Sequence, residues 1–206
     1  MTARHTKEER GYALIALLAL MTLLMIAMMA AAPSIRQQSR RELELEAIAR
    51  GEEVAEAIRM YIAMNPTKQP PNSMEELLEG VPGRTKKIKV LRASAARDPL
   101  SESGEWRTVK LRDEALIRFI RDISEYAEGR TPTPTNDPAL SGIQLPQLTG
   151  LVTGLGSGSD DGGGEDSSLS SSGPFIGVAS RSRRESIITY YGIERHDRWV
   201  FTPFFR

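Results

Sequence analysis

The stretch Lys7–Ser34 reads KEERGYALIALLALMTLLMIAMMAAAPS. A charged stub ends at Gly11, and no charge occurs in the 21 residues from Tyr12 to Ala32, where Thr22 is the only polar side chain after Tyr12 itself. As an α-helix rising about 1.5 Å per residue the run measures roughly 31 Å, close to the roughly 30 Å hydrocarbon thickness of a bilayer. Leu, Met, Ile and Ala dominate it, and a helix accepts all four. A soluble domain of this size cannot easily cover a helix that is apolar on every side, so the run is expected to enter lipid.

Two ordinary accounts meet difficulties in the flanks. Ala30-Ala31-Ala32 has the small side chains of a secretory cleavage site. The apolar core, however, exceeds the roughly 7–15 residues usual for such a signal, and Pro33 follows the alanines directly. A plain anchor gains no orientation from charge, because Arg4, Lys7 and Arg10 precede the run while Arg36, Arg40 and Arg41 follow it. Long downstream domains cross largely regardless of flanking charge, so the bulk of the chain is expected outside the cytoplasm.

The order Arg10-Gly11-Tyr12-Ala13-Leu14-Ile15, with Pro33 lying 21 positions after Tyr12, resembles the start of type IV pilins and type II secretion pseudopilins. The resemblance implies that a prepilin peptidase cuts between Gly11 and Tyr12 and that Tyr12 becomes an N-methylated first residue. It also implies a retained apolar stem in a bacterial inner membrane, a head in the periplasm, and partners that include other pilin subunits and an assembly platform. A proline inside a helix removes one backbone hydrogen bond and crowds the preceding turn, so Pro33 is expected to bend or loosen the rod. One position departs from the family. Where pilins usually carry Glu, to pair with a neighbour's free N-terminus, this chain has Ala16. Losing that carboxylate eases insertion into lipid but removes a device for setting register. A minor subunit fits this better than a major, repeatedly stacked one.

Beyond Pro33, Leu45, Ile48, Ala55, Ile58 and Ile62 recur at spacings that keep one helical side apolar, while Arg41, Glu42, Glu44, Glu46, Arg50, Glu52 and Glu53 occupy the remainder. The spacing predicts a continuing helix, weakened at Gly51 by about 1 kcal/mol relative to Ala and stopped at Asn65-Pro66. The charges read as a solvated side. A sharper alternative has Arg40, Arg41, Glu42 and Glu44 pairing with neighbouring subunits. LELEAIARGEEVAEAIRMYI also resembles the pseudopilin stretch in which the stem helix enters the head.

Ser73 and Glu76 have capping-box spacing and Gly80 is placed to end the turn, which predicts a short helix over 74–79. Asp98-Pro99 and Ser103-Gly104 read as turns before a strand at Trp106–Leu111. This Asp-Pro followed by Gly-Glu-Trp resembles a segment of pseudopilin heads. Leu116, Ile117, Ile120, Ile123 and Tyr126 predict a helix over 113–127. Phe175–Ala179, Ser186–Tyr190 and Arg198–Thr202 read as strands, with turns at Ser180–Arg184 and Gly192–Asp197. With the Trp106 strand they are expected to form one small antiparallel sheet packed on the long helix, with Trp106 and Trp199 in the core. Thr131–Pro138 is rich in Pro and Thr, and LGSGSDDGGGEDSSLSSSG (155–173) is too poor in apolar area to offset its ordering entropy.

The expectation is therefore an α+β, pilin-like fold. Residues 1–11 form a leader, 12–32 a transmembrane and assembly helix, and 33–64 its amphipathic continuation. Residues 65–206 form a periplasmic head with a flexible insertion at about 128–173.

Chemistry is thin. Basic and acidic residues balance at 27 each, which gives no global pull toward nucleic acid. Cysteine is absent, so disulfides, thiol catalysis and zinc–thiolate sites are excluded; His5 and His196 are the only histidines. Asp160, Asp161, Glu165 and Asp166 form an acidic cluster suited to calcium, yet their spacing does not match an EF-hand, and a solvated linker is the simpler account. No other cofactor is implied. Arg181, Arg183 and Arg184 read as a charged hairpin tip, too small for a nucleic-acid footprint. The glycines near 154–164 lack the Gly-Lys-Ser/Thr of a phosphate loop. No nucleophile, base and orienter stand out as a triad, so an enzyme is not expected. The competing function is a single-pass anchored periplasmic binding domain that never assembles, and Ala16 is the feature that favours it.

Overall fold

A computed structural model describes residues 6–81, 87–128, 137–143, 145 and 173–205. Helix α1 is Thr6–Met64, α2 is Met74–Glu79 and α3 is Glu114–Tyr126. The strands are β1 (Arg107–Val109), β2 (Gly177–Ala179), β3 (Glu185–Tyr190), β4 (Ile193–Arg195) and β5 (Val200–Phe201), with a 3-10 turn at His196–Arg198. The fold is α+β with a long N-terminal apolar helix and small antiparallel sheets. Two compact units divide the chain, Met1–Glu42 and Leu43–Arg206.

In the first unit, every side chain from Gly11 to Met29 is exposed. The helix runs through Pro33 without a break. Proline removes a single amide donor, and the remaining bonds of the turn hold the helix together.

The second unit has its own core. From α1 it takes Ala47, Val54, Ala55, Ala57, Ile58 and Ile62, all buried. Leu45, expected on this side, is 52% exposed, whereas Glu44, expected on the polar side, is 1% exposed. Gly51 has a packing role as well as a cost to the helix: a Cβ built there would lie 2.3 Å from Cδ2 of Phe201. The missing side chain lets the Phe201 ring lie directly on α1.

Local signals account for α2 and α3. The Ser73 hydroxyl accepts from the Glu76 amide, and Gly80 takes a φ of 86° at the C-cap. Asp113 caps α3 by accepting from the Ala115 amide at 3.0 Å, and Leu116, Phe119, Ile120 and Ile123 are buried. Tyr126, expected on that apolar side, is exposed.

The single four-stranded sheet does not form. Strands order as β1-β2-β5 in one antiparallel sheet and β3-β4 in another. The first sheet registers Arg107 with Ala179 and Val178 with Phe201. Residues expected to form one long turn, Gly192–Asp197, instead supply β4 and the 3-10 turn, which shortens the last strand to Val200–Phe201. Tyr191 and Gly192 both take positive φ (51° and 76°), the requirement of a two-residue type I′ hairpin turn. The β3–β4 register is broken between Glu185 and Tyr190, which frees amides in mid-strand for another partner.

Both indoles are buried and satisfied. Trp106 Nε1 donates to the Ala95 carbonyl at 2.9 Å, and Trp199 Nε1 to that of Ile193 at 3.0 Å. Part of the expected flexible insertion joins this core. Leu140 is buried, and Asp137 accepts from the Ala139 amide at 2.8 Å and pairs with Arg59 at 2.9 Å. The Ala139 amide, followed by Arg59, holds the Asp137 carboxyl below its usual range.

Asp122 on α3 behaves in the opposite way. Burial pushes its carboxyl above the ordinary 3.8, and the charges of Arg198, Arg121 and Arg118 only partly offset this. A raised folded-state value means that ionised Asp122 opposes folding at neutral pH, and the penalty fades as pH falls through that value toward 3.8. Asp122→Asn is therefore expected to stabilise the second unit by about 0.5 kcal/mol at pH 7. In thermal melts, a gain that does not shrink on acidification would contradict the assignment.

Candidate functional site

Two features carry functional weight, one in each unit. The first is the stem. Gly11–Met29 is a 19-residue helical stretch of mean hydropathy 2.5, long and apolar enough to cross a membrane. Its large side chains all face outward, from Leu17 at 53% exposed to Met29 at 80%. Nothing lies within 4 Å of a Cβ built on Gly11, and Tyr12 is exposed. The Gly11-Tyr12 bond thus stands on an open helical surface, and Ala16 is exposed one turn further along. A helix with no buried side chain over this length has no protein core to stabilise it, which suits a hydrocarbon environment.

The second feature is a polar cluster inside the other unit, centred on Glu44. Its carboxylate accepts from the Ile187 amide (2.9 and 3.0 Å), from the Ile188 amide (2.9 Å) and from His196 Nε2 (3.0 Å). Two consecutive strand amides ordinarily point to opposite edges. Here both reach one carboxylate because β3 is irregular at this point. Glu44 thereby occupies an edge of β3 that would otherwise offer open donors. His196 Nδ1 lies 3.2 Å from Ser182 Oγ, and the His196 ring meets Trp199 edge-on at 4.9 Å. A neighbouring pair supports the same turn: Asp98, buried, accepts from Ser180 Oγ at 2.7 Å and from the Leu100 amide at 2.9 Å.

This cluster corrects one expectation. Glu44 does not serve a solvated side or a neighbouring subunit, because its oxygens are consumed within its own unit. A hydroxyl, an imidazole and a carboxylate, a grouping not legible in the sequence, come together here: Glu44 on α1 lies 138 positions from Ser182 and 152 from His196, which are themselves 14 apart. The only advance signal was a Glu at a helix position whose neighbours one turn on, Ala47 and Ile48, face inward.

Other candidate residues fall outside both features, except that the Trp199 ring borders His196. Trp106 and Trp199 are core residues. Arg181 and Arg184 pair loosely with Glu105 (3.8 Å) and Glu102 (3.4 Å) on exposed surface, contacts worth little in stability. Arg92 pairs with Glu53, and that contact holds the Glu53 carboxyl below its ordinary value. The acidic cluster Asp160, Asp161, Glu165 and Asp166 lies outside the described residues. No family model, no curated protein and no solved structure matches the chain.

Proposed function

We propose that the chain is a pilin-like subunit of the pseudopilin class, held by its stem in a bacterial inner membrane with the second unit in the periplasm. The observation that carries the reading is the fully exposed apolar helix Gly11–Met29, preceded by the Arg10-Gly11-Tyr12 junction and followed in sequence by an α+β unit. After cleavage between Gly11 and Tyr12 by a prepilin peptidase, the stem leaves lipid for a bundle of similar stems. Apolar surface exchanges acyl chains for apolar helices at small net cost, so packing and close helix approach decide the transfer. This role requires no nucleotide site, cofactor or catalysis in the chain; the force comes from an assembly platform and its motor. With Ala16 the stem offers no carboxylate to a neighbour's N-terminus, which suits a minor position in the fibre that supports secretion.

Ala16 also favours a second reading, a single-pass anchored periplasmic binding domain that does not assemble. Mass spectrometry of the protein extracted from membranes separates the two. The expected result is a chain beginning at N-methylated Tyr12. An intact Met1, or a start near Pro33, would overturn the filament reading.

A further inference from the structure

The cluster around His196 has a geometry that edge-capping alone does not require. The Glu44 oxygens take amide N–H groups, which only donate, so the carboxylate acts as acceptor and the ring nitrogen facing it, Nε2, carries the hydrogen. With the ring neutral, Nδ1 presents its lone pair to the Ser182 hydroxyl, 3.2 Å away. Glu44 and His196 are buried, whereas Ser182 is half-buried and reaches solvent. The Trp199 ring packs against the imidazole at 72° and limits its movement. The turn bearing Ser182 is pinned separately: its amide donates to Ser180 Oγ at 3.1 Å, and Ser180 Oγ donates to Asp98. Hydroxyl, base and carboxylate are therefore held by three independent supports, as an activated nucleophile needs.

We propose that Ser182 is a nucleophilic serine, with His196 as its general base and Glu44 as a positioning residue, which accepts acyl groups from small activated esters. The order of groups is that of serine hydrolases, with the ring reversed so that Nδ1 serves the hydroxyl. Ser182 Oγ bonds to the ester carbonyl carbon while its proton passes to Nδ1. The tetrahedral adduct collapses, the bond from that carbon to the leaving oxygen breaks, and the leaving oxygen takes the proton back from Nδ1. Acyl-Ser182 and an alcohol result, and no oxidant or reductant is consumed. A surface turn suits unhindered esters over bulky ones. The inference stands apart from the filament reading.

The test uses the full chain in detergent, treated with p-nitrophenyl acetate, with acetylation at each serine followed by peptide mass spectrometry. Ser103, exposed in the turn that precedes β1, is the internal reference. A positioned base contributes about 100-fold or more, so Ser182 should acetylate at least about 100-fold faster than Ser103, and urea should erase the difference. Glu44→Gln keeps an oxygen for the Ile187 and Ile188 amides. It should cut the excess about 10-fold or more while tryptophan emission stays native, and an undiminished excess removes Glu44 from the proposal. A folded wild-type chain in which the ratio of Ser182 to Ser103 falls short of about 100-fold overturns the proposal outright.

Discussion

Glu44→Ala is expected to cost the second unit about 3 kcal/mol or more, because it leaves several hydrogen-bond donors without their acceptor. The substitution strands three donors at once: the Ile187 amide, the Ile188 amide and Nε2 of His196, which is only 3% exposed. Each buried donor without a partner carries a desolvation penalty of about 1–3 kcal/mol. Urea unfolding of the detergent-solubilised chain, followed by emission of the buried Trp106 and Trp199, measures the loss. The double variant Glu44→Ala with His196→Ala should cost less than the two single changes added, because deleting the imidazole removes one stranded donor. A single variant within about 1 kcal/mol of wild type would mean that water enters and replaces the carboxylate.

The second large effect is expected at Gly51. On helix propensity alone, Gly51→Ala should gain about 1 kcal/mol. The structure reverses the sign, since the new Cβ would approach Phe201 carbons to 2.3–2.6 Å. Phe201 cannot retreat. It is buried, its ring meets Trp106 at 5.8 Å and Tyr190 at 5.1 Å, and its strand is bonded to β2. Gly51→Val adds branching that a helix dislikes and is expected to cost about 3 kcal/mol or more, with Gly51→Ala a smaller loss in the same direction. Adding Phe201→Leu should recover part of the deficit by removing the ring edge. If Gly51→Ala raises the melting temperature, propensity has won and the contact with Phe201 is softer than the geometry implies.

These two residues also mark where sequence reading stops. Gly51 was legible as a weak point of a helix but not as a seat for an aromatic ring, because the ring arrives from 150 positions away. Glu44 looked like one of many charges on a polar side. Its burial depends on a break in β3 that no alternation of residue types announces. The fourth strand was hidden for a similar reason: Tyr191-Gly192 is a tight hairpin turn only because Tyr191 adopts a positive φ, which side-chain identity disfavours.

Where interactions are local, the residues alone determined the outcome. The length and greasiness of Gly11–Met29, the capping of α2 by Ser73, the start of α3 at Asp113 and the stop of α1 at Asn65 all depend on neighbours within about one helical turn. Only the tertiary structure decided which side of α1 is buried below Ala47, how the strands divide into two sheets, and that Ser182, His196 and Glu44 meet. Those outcomes depend on close packing and on the need of every buried donor for an acceptor, conditions met only once distant segments are brought together.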